Sequence, residues 1–147
     1  MKATQQRQID LTFDDNRLVP LLYGEHGSHL ARIEHQLGVS IASRGNTVAI
    51  RGAEGSAERA QLVLDGLWKR LLDGQPVGAA EVDAMVRMAA DSEDSGAVGE
   101  AIAHFNRPEA AIQTRRRRIS PRSVNQALYV EALRHHDLTF GLGPAGT

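Results

Sequence analysis

The chain has 147 residues, 41% hydrophobic, 24% charged and 4% aromatic, with 14 glycines; at roughly 100–200 residues per domain this accommodates one ordinary domain, or a small one and part of another, and excludes a large multidomain enzyme. The lack of cysteine removes disulfides, cysteine-ligated zinc, thiol nucleophiles and iron–sulfur clusters, and with no apolar run of about 18 residues and no signal-peptide-like start, a soluble cytoplasmic protein is expected. The net charge of −1 hides a segmentation: residues 1–75 carry 9 basic and 9 acidic groups, residues 76–106 carry 1 and 6, and residues 107–147 carry 7 and 3, the pattern of a balanced domain, an acidic linker and a basic arm.

Ile9, Leu11 and Phe13 alternate with polar residues and predict a half-buried strand. Asp14-Asp15-Asn16 precedes a short helix bearing Leu18, Leu21 and Leu22 and ending at Gly24. Ser28 is placed to cap a second short helix with Leu30, Ile33 and Leu37 on one face, and Gly38 to close it in a left-handed turn. Val39/Ile41 and Val48/Ile50 flank Arg44-Gly45-Asn46 as a hairpin. Ser56 is the expected cap of a longer helix carrying Ala60, Val63, Leu64, Leu67 and Leu71 and stopped by Gly74 and Pro76, with Trp68 in the core. Three strands and three helices thus make a small α+β unit at residues 8–75. Val82, Met85, Val86 and Ala89 predict another helix over 79–90, and the rest of 76–118, polar and acidic with a weak helix near Ala97 to Phe105, reads as linker. Ser120 as cap and Pro121 at the first helical position then open a helix through Val124, Leu128 and Leu133, followed by a strand at Leu138-Thr139-Phe140.

Two glycine motifs could carry chemistry. Gly24-Glu25-His26-Gly27 lies between two short helices, where glycines let the backbone approach nucleic-acid phosphates and a neighbouring apolar groove takes a few unpaired nucleotides. The order of elements and this loop resemble a KH domain. The loop content departs from a phosphate-binding one, with Glu25 acidic and His26 mostly neutral at pH 7. The run Arg115-Arg116-Arg117-Arg118 is the other candidate contact for RNA phosphates.

Gly143-Pro144-Ala145-Gly146-Thr147 fits the first positions of a P-loop, G-x-x-x-x-G-K-[ST], whose backbone amides curl around phosphates. The Gly-Lys-Ser/Thr completing that motif is not among the 147 residues, so this polypeptide is expected neither to bind ATP tightly nor to hydrolyse it. Upstream, the carboxamide of Gln126 could pair with N6 and N7 of an adenine. Together, Ile119 to Gln126, Tyr129 to Leu133 and Asp137 to Thr147 resemble the opening of the ATPase domain of PhoH-like proteins, a family of phosphate-starvation-associated P-loop ATPases. The resemblance implies a KH-like domain, residues 76–118 as helix plus linker, and at 119–147 the truncated start of an α/β RecA-like domain that holds ATP with Mg²⁺ when whole. It further implies RNA or an RNA-processing protein as partner, and oligomerisation through the ATPase domain. No catalytic residue and no metal site is expected in these residues, since His26, His29, His35, His135 and His136 lack a convergent ligand spacing. The alternative is a stand-alone, non-catalytic RNA-binding or adaptor module; a docking domain for another protein is a third reading, favoured by Glu25 and the neutral balance of residues 1–75.

Overall fold

A computed structural model describes residues 6–145. Strand β1 (Gln6–Thr12) is followed by helix α1 (Val19–Tyr23), a single 3₁₀ turn (Glu25–Gly27) and helix α2 (Ser28–Leu37). A hairpin of β2 (Ser40–Arg44) and β3 (Thr47–Ala53) leads into the 19-residue helix α3 (Glu54–Leu72). These form a mixed helix and strand unit with a three-stranded antiparallel sheet in the order β1-β3-β2. Register places Ile9 and Ile41 on either side of Ile50, and Leu11 beside Val48, so one sheet face is apolar and the helices cover it. Phe13 leaves β1 into the core, its ring centroid 4.9 Å from that of half-buried Trp68 on α3.

Helix α4 (Ala79–Ala90) has the bounds predicted by its periodicity. Residues 95–105, in the stretch whose polarity reads as linker, form helix α5 (Ser95–Phe105). Its acidic prelude is a cap, with the Asp94 carboxylate accepting from the amide of Gly96 at 2.9 Å. Val98, Ile102 and Phe105 are buried against α3 and α4, in one apolar cluster that runs continuously from Phe13 to Phe105. Arg32 and Gln36 of α2 both donate to Asp83 of α4, at 2.9 and 3.0 Å, fixing the second helical layer on the first.

Beyond this core lie a minimal hairpin of β4 (Ile112–Gln113) and β5 (Arg118–Ile119), then helix α6 (Val124–His135). Three expected helix starts differ. Ser28 and Ser56 lie inside their helices, because Gly27 in the left-handed region begins α2 and β3 runs through Ala53 directly into α3. The cap of α6 is Ser123 rather than Ser120, its hydroxyl accepting from the Gln126 amide at 3.2 Å. Among the described residues Leu138–Phe140 form no strand, and Leu138, Phe140 and Leu142 are exposed; a strand needs a neighbour for its backbone groups, and none of the described strands pairs with this segment. No described helix is long and apolar enough to cross a membrane.

Candidate nucleic-acid and nucleotide interface

The loop between α1 and α2 reverses the chain in four residues by using the left-handed region three times, at Gly24 (φ +74°), His26 (φ +54°) and Gly27 (φ +73°). Gly24 is further constrained by contact, since a Cβ there would sit 2.7 Å from ring carbons of His29 and from Ser28 Oγ. His29 is buried under the loop, its Nδ1–H donating to the Leu22 carbonyl at 3.1 Å, while the Tyr23 hydroxyl donates to the Gly45 carbonyl at 2.9 Å and ties the loop to the β2–β3 turn. Glu25 and His26 are left exposed on this rigid support. The nearby outer edge of β2 is partly closed, because the amide of Ile41 donates to Glu34 Oε1 at 2.6 Å.

Arg118 opens β5, and Arg115, Arg116 and Arg117 occupy the β4–β5 turn. Thr114 pins it, donating its amide to the Arg117 carbonyl at 2.9 Å and accepting the Arg117 amide at its hydroxyl at 3.0 Å. Arg115, Arg116, Arg117 and Arg118 are all exposed, and among the described residues none is in an ion pair. The Gly24–Gly27 loop and the arginine turn therefore sit on different elements, one between α1 and α2 and the other between α5 and α6.

Gln126 lies in the first turn of α6, where its Oε1 accepts the Arg122 amide at 2.7 Å; the second lone pair of Oε1 and the Nε2 donors remain for a base edge. A cleft of about 440 Å³ brings Gln126 together with Arg117, Arg118 and Arg122. Gly143 and Pro144 lie instead beside the Tyr129 ring, around a separate cleft of about 370 Å³, with Ala145 exposed after them; the expected P-loop positions Gly146 and Thr147 lie outside the described residues. Among the described residues no three histidines or carboxylates group as a metal site.

Sequence reasoning passed over one further contact, between His104 of α5 and Glu131 of α6, 2.9 Å apart at the mouth of a cleft of about 330 Å³. The hydrogen bond from His104 holds the Glu131 carboxyl below its ordinary value. A carboxyl whose pKa is lowered by folding stabilises the fold above its unfolded value and ceases to do so as the pH falls through the folded one. Protection of the α6 amides, their hydrogen exchange referred to that of unstructured peptide at the same pH, should accordingly fall on acidification below the ordinary glutamate range of about 4.3. The Glu131→Gln variant should lack this fall; equal protection profiles against pH for the two proteins would show that the contact does not hold α6.

No protein-family model and no solved structure matches the chain. Curated relatives do. It is 29% identical over 126 residues to a PhoH-like protein of Bacillus subtilis (strain 168), covering 86% of this chain and 38% of that protein. It is 29% identical over 130 residues to one of Mycobacterium leprae, covering 88% and 36%, and 29% identical over 145 residues to one of Mycobacterium tuberculosis (strain H37Rv), covering 99% and 39%. The chain thus spans between 36% and 39% of the length of these relatives. Over 86–99% of its own residues the chain is similar to proteins named PhoH-like.

Proposed function

We propose that these residues are the RNA-facing part of a PhoH-like ATPase: a KH-like unit at 8–75 with its helical extension and basic turn over 76–118, and at 119–147 the opening of a RecA-like domain that binds ATP with Mg²⁺. The observation that carries the RNA reading is the Gly24–Gly27 loop, two positive-φ glycines set on buried His29 between α1 and α2. The order β-α-α-β-β-α and the β1-β3-β2 sheet support it. Such a loop presents backbone closely enough for a sugar–phosphate chain to run across it, while bases lie toward β2. ATP binding is supported by the similarity to PhoH-like proteins and by Gly143 to Thr147, with Gln126 as the adenine contact. The stand-alone RNA-binding or adaptor module is the second reading, and the acidic Glu25 favours its adaptor form.

The test is to reverse that charge. Glu25 has an ordinary backbone conformation and an exposed side chain, so lysine fits without strain. If phosphates cross the loop, Glu25→Lys should tighten single-stranded RNA binding several-fold in an anisotropy titration and steepen the plot of log affinity against log salt by about 0.7. Superimposable titrations for wild type and variant would remove RNA from this loop and leave the adaptor reading.

A further inference from the structure

Arg70 stands where an apolar residue belongs. It lies on the buried face of α3 between Leu67 and Leu71 and is 1% exposed. Its guanidinium packs 4.9 Å above the Phe105 ring, and one terminal nitrogen reaches the Pro76 carbonyl at 3.5 Å, while Nε has no hydrogen-bond partner. Among the described residues no carboxylate lies within ion-pair distance of it. Burial lowers its pKa, Glu81 opposes that effect, and Arg118 adds to it by repulsion. A buried cation that faces another cation and lacks a carboxylate is costly to fold around, and evens out when an anion binds nearby.

The Pro76 carbonyl that Arg70 touches belongs to a residue in the wall of the 440 Å³ cleft, whose other walls include Arg117, Arg118 and Arg122 together with Ser120. One carboxylate faces it, Glu81, already accepting the Gly78 amide at 2.9 Å to cap α4. Three arginines thus line a space large enough for a phosphate and its neighbours, and a fourth, fixed and desolvated, lies against its Pro76 wall. We propose that this cleft is a phosphate-binding site, in which Arg117, Arg118 and Arg122 contact phosphate oxygens, Ser120 donates a hydroxyl hydrogen bond, and Arg70 behind Pro76 supplies a permanent positive background. It is separate from the Gly24–Gly27 loop. The guanidinium fork suits phosphate geometry. The phosphate comes from an RNA backbone or from a free phosphate or nucleotide, and only the first source rests on the RNA reading above.

The experiment uses the full chain and two probes without adenine, inorganic phosphate and a single-stranded oligouridylate, against Arg118→Ala/Arg122→Ala. Both side chains are exposed, so the fold should survive, and Arg115→Ala/Arg116→Ala at the turn tip is the control of equal charge. Phosphate salts stabilise compact proteins generally by exclusion from their surface, so the readout is the thermal shift in phosphate beyond that in chloride at equal ionic strength, compared between proteins. Wild type and tip variant should shift, and the cleft variant should not. Oligouridylate affinity should fall about tenfold in the cleft variant, with its salt slope lowered by about 0.7 for each lost contact, and should rise in Glu81→Gln. A lost phosphate shift without any oligouridylate binding upholds the site, assigns it to free phosphate or nucleotide, and removes the RNA reading. Oligouridylate binding that weakens equally in tip and cleft variants, with no difference in phosphate shift, overturns the site and leaves RNA binding standing. Wild-type behaviour of the cleft variant toward both probes overturns it outright.

Discussion

Gly66→Ala should destabilise the protein by about 1–3 kcal/mol, the range for overpacking a well-filled core, although alanine is the better helix former by about 1 kcal/mol. The two effects oppose each other, and geometry decides between them. Gly66 is buried at the middle of α3, where α4 and α5 both close on it. An added Cβ would overlap Ile102 Cγ2 of α5 and lie 3.3 Å from Met85 Sδ of α4. The methionine can yield, because its unbranched chain has three rotatable bonds. Ile102 cannot, because β-branching confines its χ1 on a helix, so α5 itself must shift. That shift also strains the bond from Asn106 Nδ2 to the Gly66 carbonyl, 2.8 Å long and buried. Urea denaturation gives the loss, and native-state hydrogen exchange should place it on α5. Adding Ile102→Ala removes the overlapping methyl, so the double variant should be more stable than the sum of the single losses implies. A Gly66→Ala protein as stable as wild type would mean that helix propensity outweighs this contact.

That contact shows where reading the sequence stops. Elements set by local pattern were legible: α4 falls on its predicted bounds, the β2–β3 hairpin turns at Gly45 with φ +61°, and Gly38 closes α2 with φ +64°. Helix starts were less so, because the backbone entering the helix decides where it begins: Ser28 and Ser56 stand inside α2 and α3, and of two serines before α6 only Ser123 caps it. Helix α5 was under-read because Gly96, Gly99 and the acidic residues before it resemble loop, while Val98, Ile102 and Phe105, spaced four and three apart, form its buried stripe. The strand expected at Leu138–Phe140 looked sound by alternation and hydropathy, but pairing is a property of two segments and cannot be read from one.

The candidate interface divides the same way. The G-x-x-G spacing between two helices is a local signal and stood out. The reason Gly24 must be glycine is the position of the His29 ring, which only the packed structure gives. The four arginines were conspicuous, yet the grouping of two of them with Arg122 around one cleft depends on a hairpin too short to have a pattern. One signal went unused, an arginine on the apolar stripe of α3 between Leu67 and Leu71. Charge at a core position reports either a buried ion pair or an anion to be bound, and among the described residues Arg70 has no ion pair.

The two glycines of the loop should respond unequally to alanine. Gly24→Ala meets a backbone conformation, φ +74° with ψ 172°, that is essentially glycine's alone, at about 1–3 kcal/mol, and drives a methyl to 2.7 Å from the His29 ring and Ser28 Oγ, a further loss of about 1–3 kcal/mol. Gly27→Ala incurs only the smaller cost of the left-handed helical region, φ +73° with ψ 20°, about 1–2 kcal/mol, since no heavy atom lies within 4 Å of the added carbon. Gly24→Ala should therefore lose about 2–6 kcal/mol by denaturant titration and Gly27→Ala about 1–2. The difference combines the support that the His29 ring gives the loop with the stricter backbone demand at Gly24. Displacing the ring breaks its bond to the Leu22 carbonyl, which frees the end of α1 and lets the loop sample conformations with its amides turned away from a ligand. RNA affinity should consequently drop more in Gly24→Ala than in Gly27→Ala, even at temperatures where both variants are fully folded. Equal losses of stability would show that the ring moves aside at no cost, and that backbone conformation alone makes both positions glycine.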